Sequence, residues 1–443
     1  MGDVRAVTDI VFHHDAARLP PGGPGLVPVL MYGRRPPCQG SASIGGPVRA
    51  AVRRLGVPAH RRAFDLLTVA MAVTAADTFV DRRASDDGWA RDLRLRVPLS
   101  DPAPWMTVVP LLEETLQFLS GDLWSIEFLP DGPALPAPQV RGRLTTLTGH
   151  DSVSLFSGGL DSAIGALDIM AGGRRPVLVS HSYRGDAERQ GTVGARLPVR
   201  VSRFSAIANP VSKLDEPNDV QMRTRSFNFI AYGALVAATM AERGVAPGPV
   251  DLFVPENGFI ALNPPLTARR IGALSTRTTH PHFLGAVQRL LDELVIPVRI
   301  ANPYALKTKG EMLTGCADQA TLGTVAEHTV SCGKWKRTGI QCGRCVPCLI
   351  RRASFHAAGM ADRTGYDPDG RDLAAVMARE DARDDLLAMI LAARKLPSTD
   401  IARWVPQAGP LPADRAKRDA LLDVARRGMA EVSAYLNHLG LLR

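Results

Sequence analysis

The chain has 443 residues, of which 45% are apolar and 22% charged; this is the balance of a globular protein with two or three domains, and it excludes a disordered or fibrous chain. A formal net charge of +9 suits an anionic partner, but the arginines are scattered and aromatics are only 5%, so the interleaved basic–aromatic pattern of a nucleic-acid stacking platform is missing. The longest apolar tract, Leu66 to Val80, is broken by Thr68, Thr74, Asp77 and Thr78, which reads as a buried helix rather than a membrane span. The N-terminus lacks the basic start and apolar run of a secretory signal, and the expectation is a cytoplasmic protein.

Residues 1–145 read as a mixed α/β extension. A Pro/Gly-rich lead (Pro20 to Pro28, then Arg34 to Gly46) precedes a helical stretch from about His60 to Arg82, a strand from Arg91, a helix from about Pro104 to Leu119 and a strand from Leu123. Prolines make Asp131 to Gly142 a linker. From about Ser152 the pattern changes. Short apolar runs (SVSLF, PVLVSHSY, LPVRVSRF, PVDLFVP, IPVRI) alternate with helical tracts, including Ser226 to Arg243 and Pro281 to Leu294. Strands without polar alternation, separated by helices, predict a doubly wound parallel sheet whose ligands sit beyond the carboxyl ends of its strands. This unit is placed at residues 146–360, followed by a helical extension over 361–443; no internal repeat is visible.

The densest local signal is SLFSGGLDSAIGAL, from Ser154 to Leu167. An apolar strand ending in Phe156 runs into Ser157, Gly158, Gly159, Leu160, Asp161 and Ser162, and a small-residue helix follows. Two glycines let backbone N–H groups approach a phosphate, and the helix offers its free N–H groups and positive dipole end to the same anion. Ser157 and Ser162 add hydroxyls, and Asp161 is placed to hold Mg²⁺ bridging phosphate oxygens. The blander reading is a Gly-Gly turn with a capping side chain. The segment is neither a Walker A loop nor a GxGxxG turn. It resembles the PP-loop, SGGxDS, of the N-type ATP pyrophosphatases, an adenine nucleotide alpha hydrolase-like fold; that resemblance implies ATP cleaved between its α- and β-phosphates.

Of six cysteines, Cys332, Cys342, Cys345 and Cys348 form C-x9-C-x2-C-x2-C within residues 331–352. Two-residue spacers let thiolates converge on one ion, and four of them close a tetrahedron, as in a structural zinc site. An iron–sulfur cluster uses the same four thiolates. Cys38 and Cys316 stand apart and read as ordinary buried residues.

A PP-loop segment followed by Ser331-Cys332 and CGRCVPCLIR, from Cys342 to Arg351, resembles the QueC family, the 7-cyano-7-deazaguanine synthases. Two further stretches are similar to family motifs: RTRSFNFIAYGAL, with Arg225 and Asn228 as the nearest matches, and NPYALKTKGEM, with Lys309 and Glu311. The resemblance covers roughly Ser152 to Phe355, less than half of the chain. It implies ATP, Mg²⁺ and Zn²⁺ as cofactors, adenylation of 7-carboxy-7-deazaguanine, and transfer to an amine to give an amide or a nitrile. It also implies a catalytic set of Asp161, Lys309 and Arg225, and a homodimer unless the added segments block or replace that contact. Lys307 is the weaker lysine match, and each of these cations has an alternative reading as a solvated surface charge. The length and the flanking segments are similar to QueC-like proteins of bacterial antiphage operons.

The family's tyrosine–glycine–glutamine segment is here HSYRGDAERQG from His181, with Tyr183 at the matching place. This departure leads us to expect a different acceptor, an amine on a protein partner. Arg351 reads as a brace of the zinc loop or a helix cap, and His181, His280 and His282 receive no catalytic or metal role. Two rivals stand beside this reading: a PP-loop tRNA-modifying enzyme of the thiolation type, and a scaffold in a defence complex whose nucleotide site regulates assembly.

Overall fold

The computed structural model describes residues 7–85, 87–182, 185–219, 222–268 and 277–442. The first half forms a sheet from β1 (Val7–His13), β2 (Leu26–Gly33), β3 (Ala42–Gly45), β4 (Asp92–Pro98) and β5 (Leu123–Leu129), all parallel, in the order β5-β4-β1-β2-β3. The strands expected near Arg91 and Leu123 are β4 and β5. The Pro/Gly-rich lead is more regular than expected, because β2 runs through it. Pro28 sits in register with Val11 and gives up one ladder donor, while Val29 and Met31 bury almost completely beside it.

The second half forms a second parallel sheet from β6 (Ser152–Leu155), β7 (Pro176–His181), β8 (Arg203–Ala206), β10 (Val250–Phe253) and β11 (Val298–Ala301), in the order β11-β10-β6-β7-β8. The residues of β6 and β7 are all buried, which is why their sequences, up to His181 at the end of β7, are apolar or small rather than alternating. Between β8 and β10, β9 (Val211–Ser212) crosses over to the first sheet and pairs antiparallel with β3.

Counted within each half, both sheets have the strand order fifth, fourth, first, second, third. The helices repeat this correspondence. The helix after the third strand of one sheet, Arg61–Phe79, packs on its counterpart Arg225–Glu242, and Val109–Ser120, after the fourth, packs on Pro281–Glu293. Arg61–Phe79 is buried from Ala63 to its end, in keeping with the reading of the apolar tract. It starts at His60, whose ring accepts from the Ala63 N–H at 3.2 Å. One apolar core runs through both halves. The fold therefore repeats although the sequence shows no repeat.

The helix Val346–Ala357, which holds the last clustered cysteine, Cys348, leads the chain on to helices Asp384–Lys395 and Arg415–His438. Leu349, Ala353, Leu386, Met389, Met429 and Val432 share an apolar core there with Phe259 of the second unit. Cys316 is buried as expected, but Cys38 is exposed; it sits in a polar stretch whose Ser41 hydroxyl is bonded to the Cys38 backbone. No described helix is long and apolar enough to cross a membrane.

Candidate functional site

β6 ends at Leu155, and the chain turns into the helix Leu160–Ala171 through the Ser-Gly-Gly segment. Gly158 has φ +79°, a left-handed conformation that glycine takes without strain. The N-cap residue is Gly159, which has no side chain to bond the first N–H groups, so among the described residues they are left to meet an anion. Ser157 Oγ accepts from the Gly159 N–H at 3.2 Å and lies 3.2 Å from Ser162 Oγ. Phe156 and Leu160 are packed in the core, so they offer a ligand backbone rather than side chain. Gln190 braces the turn from outside, donating to the carbonyls of His181 and Ser157.

Asp161, in the first turn of that helix, is almost fully buried and lies 2.6 Å from the equally buried Lys309 Nζ. Its other oxygen accepts from the Asn257 backbone N–H at 3.0 Å and from Asn257 Nδ2 at 2.7 Å. Burial alone would raise the Asp161 carboxyl, but the Lys309 ammonium and the bonds from Glu256 and Asn257 outweigh it and hold its pKa at about 2. Glu256 goes the other way: burial first, then the Asp161 charge, push its carboxyl well up. Asp161 follows β6 and Glu256–Asn257 follow β10, adjacent strands at the point where the order of the sheet reverses. Crevices of parallel sheets bind ligands at such points.

Mg²⁺ fits Asp161 less well than the spacing implied. One carboxylate oxygen faces Lys309 and the other takes two bonds from Asn257, so Asp161 here orients a cation of the protein itself. The Glu256–Asn257 pair was not singled out from the sequence. A polar pair just beyond an apolar strand was the available signal, but its relation to Asp161 is long-range.

The two lysines are resolved by burial. Lys309 points into the cluster, whereas Lys307 is exposed near the Tyr304 ring. Glu311 is taken up structurally: it completes a capping box with Thr308 and pairs with Arg427. Arg225 lies exposed in the first turn of its helix, in contrast to the buried Lys309. Asn228, one turn on, is fully buried, and both polar atoms of its amide lack a hydrogen-bond partner among the described residues; a ligand or ordered water satisfies such a group. Tyr183 lies outside the described residues. His280 is the N-cap of its helix, accepting from the His282 N–H at 3.1 Å.

The four clustered cysteines are buried, and their sulfur atoms all lie within 4.8 Å of one another. Backbone N–H groups of Lys334 and Cys342 point at Cys332 Sγ, each at 3.3 Å, and that of Cys345 at Cys342 Sγ at 3.4 Å. Such donors favour thiolates, and the set fits a metal such as zinc with no position left open. Arg351 is fully buried and donates to Thr364, Thr329 and the Ala326 carbonyl. It ties both flanks of the loop to one helix. The loop also reaches the Ser-Gly-Gly turn, since the Val330 N–H donates to the Gly158 carbonyl at 3.2 Å.

Between the Asp186–Gly194 helix and the cysteine loop lies a cavity of about 580 Å³, lined by Glu188, Arg189, Thr192, His328, Trp335 and Gln341. The Arg189 guanidinium stacks 3.3 Å over the Trp335 ring. A larger depression of about 900 Å³, lined by His60, Glu242, Gln288 and Arg299, opens at the amino ends of β10 and β11. It lies at the opposite edge of the sheet from the Ser-Gly-Gly turn, which follows the carboxyl end of β6.

Comparison with known proteins agrees with the cysteine region. A family model described as "Queuosine biosynthesis protein QueC" matches residues 279–359, which include Lys309 and all four clustered cysteines. Over 90 residues the chain is 36% identical to a 7-cyano-7-deazaguanine synthase of Rhizobium etli, 38% to one of Rhizobium leguminosarum and 33% to one of Paracoccus denitrificans. Each alignment covers 20% of this chain and 36% of the relative, so the chain spans little more than a third of the length of the relatives it matches.

Proposed function

We propose that the chain activates a carboxylic acid on a 7-deazaguanine ring with ATP, releasing pyrophosphate, and passes the acyl adenylate to an amine to form an amide or a nitrile. The observation that carries this reading is the buried Asp161–Lys309 pair, 2.6 Å apart, beside an uncapped helix N-terminus and a left-handed glycine. An anion held on those N–H groups lies next to the Asp161–Lys309 pair, since Asp161 is in the helix's first turn. A doubly wound arrangement for the unit at 146–360, with the nucleotide at its switch point, is supported by the strand order, which reverses at β6.

In this reading the loop backbone from Ser157 to Ser162 grips the β- and γ-phosphates as leaving group. Lys309, aimed by Asp161 at 2.6 Å, offsets charge developing at the α-phosphate. Arg225 reaches the phosphates or the acid from the rim. The nucleotide arrives as its Mg²⁺ complex. The substrate carboxylate is itself the nucleophile, so the chain needs none of its own. The cavity beside Trp335 receives the ring of the acid, and Zn²⁺ on the four thiolates fixes the wall shared by cavity and phosphate turn. By its length and flanking segments, residues 1–145 and 361–443, the chain belongs with QatC of the Qat antiphage system, working in the cytoplasm on an amine of a protein partner.

The test is incubation with ATP, 7-carboxy-7-deazaguanine and candidate amines, read by mass spectrometry. AMP and pyrophosphate should form, and Asp161→Asn should slow their release by about 10²–10³-fold. ADP as product, or no nucleotide binding, would overturn the reading.

A further inference from the structure

The residues flanking Lys309 are bound by a helix that lies outside residues 279–359, the stretch matched by the family model. Lys309 is the first residue of the short helix Lys309–Thr314. The residues on either side of it are both bound by Glu431 of the Arg415–His438 helix: Thr308 donates its hydroxyl to that carboxylate, and the Gly310 backbone N–H donates at 3.2 Å. A Cβ on residue 310 would fall 2.5 Å from the same carboxylate, so Gly310 is the residue that permits the approach. One turn earlier, Arg427 pairs with Glu311 and donates to the Leu306 carbonyl at 3.0 Å. The Lys307 carbonyl accepts from the Gly258 N–H at 2.8 Å, next to the Asn257 that binds Asp161. Burial pushes the Glu431 carboxyl up, yet a neutral or charged carboxyl keeps an oxygen to accept these bonds.

We infer that Glu431 is a positioning residue: by gripping Thr308 and Gly310 it sets the backbone from which Lys309 reaches Asp161, making the C-terminal helix part of the site's machinery. This gives the extension a task, and its catalytic consequence rests on the proposed ATP cleavage. Loss of the grip lets the first turn swing out and Lys309 leave the carboxylate, while the four thiolates and the phosphate turn, held by other contacts, stay in place.

The test uses the full-length protein and two readouts. Lysine acetylation with an N-hydroxysuccinimide ester, read by peptide mass spectrometry, needs no turnover, and the exposed Lys307 serves as internal reference. Wild type and Glu431→Gln should protect Lys309, because glutamine keeps an acceptor oxygen. Glu431→Ala should raise Lys309 labelling about tenfold while Lys213 and Lys334 stay unchanged. Gly310→Ala, which crowds the same contact from the other side, should do likewise. In the kinetic readout, Glu431→Ala should lower kcat for AMP release about tenfold to a hundredfold with little change in KM for ATP, and Glu431→Gln should restore most of it.

Unchanged protection of Lys309 in Glu431→Ala and Gly310→Ala overturns the inference. So does a rise at every lysine together, which reports general loosening, and so does a glutamine variant as damaged as the alanine one. A wild-type protein that forms no AMP refutes the proposed function, while the labelling still decides the role of Glu431.

Discussion

At the scale of single residues, the contrast between Lys307 and Lys309 shows what the sequence could and could not decide. Two lysines two positions apart look alike in one dimension. A helix start between them leaves one in water and buries the other against Asp161. Lys309→Met should lower the rate of AMP formation by about 10²–10³-fold, whereas Lys307→Met should stay within about threefold of wild type; steady-state kinetics on the two variants checks this. The Ser-Gly-Gly turn and the cysteine cluster were legible as local patterns because their residues are neighbours in the chain. Glu256, Asn257 and Glu431 were not, since each meets its partner only through the fold: the separation from Asp161 to Asn257 is 96 residues and from Thr308 to Glu431 it is 123.

At the scale of elements, caps and loops carry the next set of expectations. His280 is fully buried as a helix cap, and burial, with His282 and Arg277 nearby, holds its pKa down at about 3. As pH falls below the ordinary histidine value of about 6.5, the unfolded chain takes up a proton that the native helix start refuses. Stability should therefore drop by about 1.4 kcal/mol per pH unit until the folded pKa is reached. Asparagine caps a helix without titrating, so His280→Asn should lack this part of the acid sensitivity. Paired denaturant titrations at pH 7 and pH 5 measure the difference, expected at about 2 kcal/mol.

The cysteine loop should carry one zinc per chain and no visible chromophore by metal analysis. Cys345→Ser should lose the ion and melt earlier, since closing such a loop contributes on the order of 10 kcal/mol. The longer helices Arg61–Phe79, Val109–Ser120, Leu160–Ala171, Arg225–Glu242 and Pro281–Glu293 were readable from the sequence, and most of the short ones were not. β2 was hidden because Pro28 spoke against a strand, and neighbours on both sides overrode it.

At the scale of the whole molecule, the two halves are joined by buried charge as well as by apolar packing. Asp77 accepts from Arg91 at 2.6 Å and from the Thr224 backbone N–H at 2.8 Å, and Asp122 accepts from both Arg82 and Arg91. All of these side chains are buried. Thr224 immediately precedes the helix that begins with Arg225, so the first half fixes the start of an element of the second. Removing one partner of such a network strands the others in a medium that cannot solvate them. Asp77→Ala should lose about 3–5 kcal/mol, measured by urea unfolding. The equal strand orders were invisible beforehand because topology can persist without shared residues, and a search for repeats reads only residues.

The short β9 has a practical corollary. It hands a piece of the second half to the edge of the first, so the border between them in space is not the border along the chain. A protease that nicks the proline-rich stretch from Asp131 to Gly142, which has no regular structure, would sever one covalent thread and leave the interlock intact. Two fragments should then run apart on a denaturing gel yet travel as a single particle in size-exclusion chromatography.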